Sequence, residues 1–209
     1  MHRQATHRRP DRRQRQRGVT LVIVLMLLVI VTLLGVGAAR IALMGERQTR
    51  NERDYQIAWQ AAEAALMDAQ FDIRGPNSYT GQRVALFTPD DISKFVPGCN
   101  TSADFRGLCA PSEGKPVWAQ VDFLDDSNSA PTVAYGTFTG RAFDSGTTGV
   151  QPARAPRYMI EVVRDQTPMG SAASNTGSKA APIMYRVTAM GFGPREDVQV
   201  VLQIAFKKE

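Results

Sequence analysis

Histidine is confined to the first seven residues, at His2 and His7. Everything after them lacks an imidazole, which excludes Ser-His-Asp and Cys-His nucleophilic sites and histidine-ligated metal centres. Cysteine is nearly as scarce: Cys99 and Cys109 are the only two, too few to complete a four-ligand metal site without histidine. Proline is absent between Pro10 and Pro76, so nothing in that interval forbids a long helix. Charge is absent from Val19 to Ala39. Acidic residues are scarce at the start, where residues 1–18 hold seven arginines and the single acid Asp11. The chain's net charge of +5 arises there: seven basic and one acidic residue in the leader, against 18 basic and 19 acidic in the rest. The basic balance therefore gives no reason to assign nucleic-acid binding to a folded domain.

The uncharged run, VTLVIVLMLLVIVTLLGVGAA, is the dominant feature of the 209-residue chain. Its 21 residues would span about 31 Å as a helix, against a hydrocarbon core of roughly 30 Å. Lipid offers no water to backbone N–H and C=O groups, so a single segment there must be helical. Arginines dominate before the run, whereas Arg40, Arg47, Arg50 and Arg53 after it alternate with Glu46, Glu52 and Asp54. The positive-inside rule then places the N-terminus in the cytoplasm and exports the remainder. A membrane-anchored, single-pass, exported protein is expected.

The helical period continues past the run. Tyr55, Ala58, Trp59, Ala62, Ala65, Leu66, Ala69 and Ile73 recur at i, i+3, i+4 and i+7 and share one face. Glu52, Glu63, Asp68 and Asp72 are expected largely off that face, and Trp59 and Trp118 in the core. Gly75-Pro76 is a stop signal. One continuous helix is expected over 19–74, roughly 84 Å long. Gly35, Gly37 and Gly45 are its weakest points.

Residues 77–116 read as loop, with a short apolar piece at Val84–Phe87. Strands are expected at Val117–Phe123, Val133–Phe138, Arg157–Arg164, Met184–Met190 and Val198–Phe206. In the last, Val198, Val200, Leu202, Ile204 and Phe206 should face a core. Gly191–Asp197 is the hairpin loop between the final two, and Asp165–Pro182 a low-complexity connection. A sheet with one apolar face needs a cover, and the 55–73 helix face is available. The expected class is α+β, with a long N-terminal helix on an antiparallel sheet. The chain divides into a leader (1–18), a transmembrane helix (19–39), its amphipathic continuation (40–74) and an exported globular domain (75–209).

The exported side makes a Cys99–Cys109 disulfide more reasonable than two free thiols. An 11-residue loop so closed gains about 3 kcal/mol on the chain-entropy argument. Asp122, Asp125, Asp126 and Asn128 resemble a calcium cluster, but no glycine-bearing loop with a terminal glutamate follows, so a solvated turn is the better reading. Asp90-Asp91 before Ile92 reads as a helix N-cap. No catalytic residue, metal or cofactor is expected.

A basic leader ending in Gly18, an immediate apolar run and a long helix against a sheet resemble a type IV prepilin. The segments RGVTLVIVLMLLVIVTLLGVGAAR (17–40), GERQTRNERDYQIAWQAAEAALMDAQ (45–70) and YRVTAMGFG…VVLQIAF (185–206) are similar to PilX-type minor pilins. The similarity is good over the first 74 residues and fair in the last strands; residues 77–156 match only in general plan. The resemblance implies a pilin-like fold and cleavage by prepilin peptidase after Gly18. Val19 would become the N-methylated terminus. It further implies partners among other minor pilins, the major pilin and the inner-membrane assembly platform. The domain would be periplasmic before incorporation into a pilus. Two departures stand out. Most pilins carry glutamate at the fifth mature position, where this chain has Ile23, and phenylalanine at the first, where it has Val19. Lack of the glutamate suits a subunit at the end of a fibre, helping to start it. Three other readings remain open. One is a minor pseudopilin of type II secretion. The second is an exported globular protein with a Sec-type signal peptide cut near Gly35–Ala39. The third is an anchored enzyme or sensor.

Overall fold

The long helix is present without interruption: α1 runs Val19–Arg74, 56 residues. It ends where Gly75 adopts a left-handed φ of 65° and its N–H donates to Phe71 O at 2.8 Å. That is a C-terminal cap suited to glycine. The structure, a computed structural model, describes residues 19–75, 83–88, 91–144, 146, 148–164 and 183–208. The leader with Gly18, the 165–182 connection and Asp90 lie outside them.

The chain falls into two units, 1–49 and 50–209. In the first, α1 leaves every described side chain exposed, Ile23 among them. The hydroxyl of Thr32 donates to Val29 O at 2.8 Å, within the helix. A hydroxyl so occupied need not seek water, which fits a segment that meets apolar surroundings.

In the second unit, five strands form one sheet: β1 (Leu108–Cys109), β2 (Val133–Ala134), β3 (Arg157–Arg164), β4 (Ile183–Phe192) and β5 (Gln199–Phe206). β3, β4 and β5 are consecutive antiparallel neighbours, Ile160 opposite Val187 and Val187 opposite Ile204. The other edge of β3 is shared. β2 pairs antiparallel at Val133–Tyr158, and β1 adds a short parallel pair at Leu108–Ile160. The expected α+β architecture is therefore present, with one small parallel pair added to the antiparallel sheet.

Both faces of the sheet are covered. Tyr158, Ile160, Val162, Val187 and Ala189 meet Ala65, Ala69 and Ile73 of α1 in the main core. Alternate residues Met159, Met190 and Phe192 meet Cys99, Cys109, Val117 and Phe123 in a second core. The helix lies close against Gly191, where a Cβ would run into Ala58 O and Ala62 N. Alanine on the helix and glycine on the strand make that approach possible.

Several expectations are corrected. Val117–Phe123 is not a strand; Val117–Ala119 is a 3-10 turn, because β1 and β2 already occupy the free edge of β3. Val133–Phe138 shortens to Val133–Ala134, since Gly136 turns at φ 80° and closes a bend through Gly140 N–H to Gly136 O. The Val84–Phe87 piece forms a 3-10 turn at Val84–Leu86. No helix follows Asp91: its carboxylate accepts the N–H of Ser93 at 2.9 Å in a local turn. Trp59 and Trp118 are not core residues, being 38% and 37% exposed. On β5, Val200 is buried as expected but Ile204 is 42% exposed. The helix residues packed against this strand are Ala58 and Ala62, which meet Val198, Val200 and Leu202.

Candidate functional site

Two carboxylates one helical turn apart, Asp68 and Asp72, are fully buried in α1. They were expected off the apolar face. Both instead sit within it, at i+3 and i+7 from Ala65, and that spacing was the signal available in the sequence. Buried carboxylates require partners, and the loops supply them.

Asp68 Oδ2 accepts the N–H of Gly136 at 2.7 Å, and its Oδ1 accepts the hydroxyl of Thr139. The turn that truncates β2 thus delivers a backbone donor to the helix. Burial pushes the Asp68 carboxyl above its usual range, although both hydrogen bonds and the nearby Arg141 charge oppose the shift.

Asp72 meets Arg83, which nothing in the sequence pattern singled out. Arg83 Nε lies 3.0 Å from both carboxylate oxygens, and Nη2 donates to Oδ2 at 2.6 Å. The remaining arm, Nη1, donates to Arg106 O at 2.6 Å. The Phe138 ring lies against the guanidinium, 3.6 Å from centroid to Cζ. Tyr158 on β3 completes the group, its hydroxyl donating to Asp72 Oδ2 at 3.0 Å. Burial, then the Asp72 charge, holds the Tyr158 phenol well above its ordinary pKa. With all these donors in place, the group is a fastening between helix, loops and sheet. Among the described residues each oxygen of both carboxylates already has a donor from within the fold.

Cys99 and Cys109 are joined, their Cα atoms 4.0 Å apart. The disulfide belongs to the second core, beside Met159 and Phe192. Cys99 has φ 71°, unusual for a non-glycine residue. Cys109 is a β1 residue opposite Glu161, so the cross-link ties the irregular 96–107 segment to the sheet.

The acidic run from Asp122 to Asn128 is already occupied. Asp122 accepts Leu124 N–H at 2.7 Å and Asp125 accepts Ser127 N–H at 2.8 Å. Asp126 lies 2.9 Å from Arg157 Nη1 and 3.0 Å from Arg154 Nη2. Among the described residues no group of acidic, cysteine or histidine side chains is placed to hold a metal. These carboxylates hold turns and an arginine pair.

What is left exposed is the helix itself. From Val19 to Ala39 it presents an apolar side chain at almost every position and no charge, and it is long and apolar enough to cross a membrane. The profile of the PilX N-terminal region matches residues 17–66, and that of the C-terminal part of type IV pilus assembly protein PilX matches residues 100–208. The chain belongs to the PilX family of type IV pilus assembly proteins. No curated protein and no solved structure matches it. As a PilX family member it is a minor pilin, and its apolar N-terminal helix fits a single-pass membrane pilin. The family is a structural one, associated with other pilins and with the membrane. The described parts of α1 agree with the first match, and β1 to β5 all fall within the second.

Proposed function

We propose that this PilX protein is a non-enzymatic subunit that initiates pilus assembly and stays at the tip. Prepilin peptidase cuts after Gly18 on the cytoplasmic face, and Val19 becomes the N-methylated terminus. The exported domain then waits in the periplasm, anchored by 19–39 in the inner membrane, until the assembly platform inserts it among other minor pilins and the major pilin.

The observation that carries this reading is Ile23, an exposed apolar side chain where most pilins have glutamate. A carboxylate inside lipid costs roughly 2.5 to 3.5 kcal/mol, so a pilin carrying one gains by neutralising it against a neighbour's terminal ammonium. A chain with Ile23 has no such need. It can still give its own Val19 ammonium to the glutamate of a subunit below. One-sided contacts of this kind favour a terminal place and low copy number. Deleting the gene should lower the number of pili per cell far more than the length of each. A population with normal pilus numbers but shortened fibres would overturn the proposal.

A further inference from the structure

We infer that the outer edge of β5 is a docking site that accepts an extended segment of another polypeptide by strand addition. This goes beyond the fibre-initiation reading and does not rest on it.

Gly193 N–H donates to Val198 O at 2.7 Å, and the same register continues as Gly191–Val200, Ala189–Leu202 and Val187–Ile204. Antiparallel partners alternate between hydrogen-bonded and non-bonded pairs. Residues 198, 200, 202, 204 and 206 therefore turn their peptide groups toward β4. Gln199, Val201, Gln203 and Ala205 turn theirs outward, where no described strand lies.

Edges of this kind are normally guarded by lysine, proline, a bulge or a covering element. From Val198 to Phe206 the chain has no charge, proline or glycine, and its eight pairs with β4 run without a bulge. Beside the edge lies a groove of about 510 Å³, lined by Gln60, Glu63, Ala64, Leu66, Met67 and Gln70 of α1 and by Ile204. Met67 is 52% exposed, and the Glu63 carboxylate is engaged by Trp59 Nε1–H at 2.8 Å. An added strand would bond the outward peptide groups and drop alternate side chains into this groove. Apolar side chains suit the part of it formed by Ala64, Leu66, Met67 and Ile204. At the far end Arg74 Nη2 donates to Lys207 O at 2.8 Å, and its guanidinium lies over the Phe206 ring, Cζ 4.9 Å from the centroid. An acidic residue on the incoming segment suits that end.

Other occupants fit less well. A lipid or small apolar molecule would fill the groove but leave the outward peptide groups unpaired. Pairing of two β5 edges from two copies is separated from addition of a foreign segment by the concentration dependence measured below.

The test uses the full chain in detergent and a labelled peptide alternating threonine and valine over seven residues and ending in glutamate. Binding should slow amide exchange at Gln199, Val201, Gln203 and Ala205, and not at their neighbours. Ala205→Pro removes an outward N–H without touching the β4 ladder and should weaken binding at least tenfold. Met67→Glu, which leaves the sheet intact, should do the same if the proline variant fails to fold. Equal binding by a peptide with alternate amides N-methylated would overturn the inference. So would outward amides already protected in the isolated monomer, which would mean the chain covers its own edge. Protection that rises with protein concentration together with dimer in sedimentation would assign the edge to a second copy and equally overturn it. None of these outcomes depends on pilus number, so the initiation reading stands or falls separately.

Discussion

Asp72 and Arg83 form a buried bidentate ion pair, Nη2 to Oδ2 at 2.6 Å, both side chains almost completely withdrawn from solvent. The pair joins the last turns of α1 to the chain that resumes after the helix, and it ties both to β3 through the Tyr158 hydroxyl. Removing one member leaves the other charged, buried and unpaired, which costs about 3–5 kcal/mol. Arg83→Met should lower unfolding stability by that order. The double variant Arg83→Met with Asp72→Leu should recover much of the loss, since no lone charge remains. Chemical denaturation of both variants and the parent chain checks this. Additive losses would show that the two side chains act independently.

The Asp68 carboxyl gives a pH dependence of known sign. Its folded pKa lies above the ordinary aspartate value of 3.8. Its contribution is therefore fully present below that unfolded value and is lost as pH rises through the folded pKa. Asp91 and Asp125 are shifted down by hydrogen bonds to Ser93 and Ser127 and act in the opposite sense. The comparison must isolate one group. Asp68→Asn can still accept from Gly136 and donate to Thr139. Its stability relative to the parent should rise as pH increases from about 4, as measured by unfolding at a series of pH values. A relative stability that falls with pH would contradict the shift.

Gly191 leaves room for the backbone of α1 beside β4. Gly191→Ala would force its Cβ into Ala58 O and the Ala62 backbone, and overpacking of this kind costs about 1–3 kcal/mol. Thermal unfolding followed by circular dichroism should show a lowered midpoint with the helix content retained.

The disulfide should matter for stability alone. Cys99→Ser with Cys109→Ser opens a link across a sequence separation of 10. It should destabilise the domain by about 2–4 kcal/mol and lower pilus yield without abolishing assembly. Complete loss of pili with an unchanged unfolding midpoint would point to a role outside folding.

Much of the architecture was readable in the chain because its signals are local. The uncharged run, the absence of proline up to Pro76 and the Gly75 stop are enough for α1. Alternation and β-forming residues are enough for β3 and β5. The rest depended on partners distant in sequence. Val117–Phe123 has strand-like composition, but a strand needs a vacant edge, and β1 and β2 had taken it. Asp68 and Asp72 look like solvent-facing charges until Gly136, Thr139, Arg83 and Tyr158 are brought to them. Trp59 satisfies the apolar period yet lies at its margin, where its indole N–H reaches Glu63 and not the core. Of the candidate site residues, only the cysteine pair could be placed by compartment and count. Ile23 had meaning only beside the family pattern.

The chain is proposed to occupy the end of the fibre, held there by Ile23. Immunogold labelling of sheared pili, with antibody against the exported domain, tests it most directly. The account predicts gold at one end of each fibre for the parent protein, and gold along the shaft for Ile23→Glu. Even labelling along the shaft with the parent protein would contradict it.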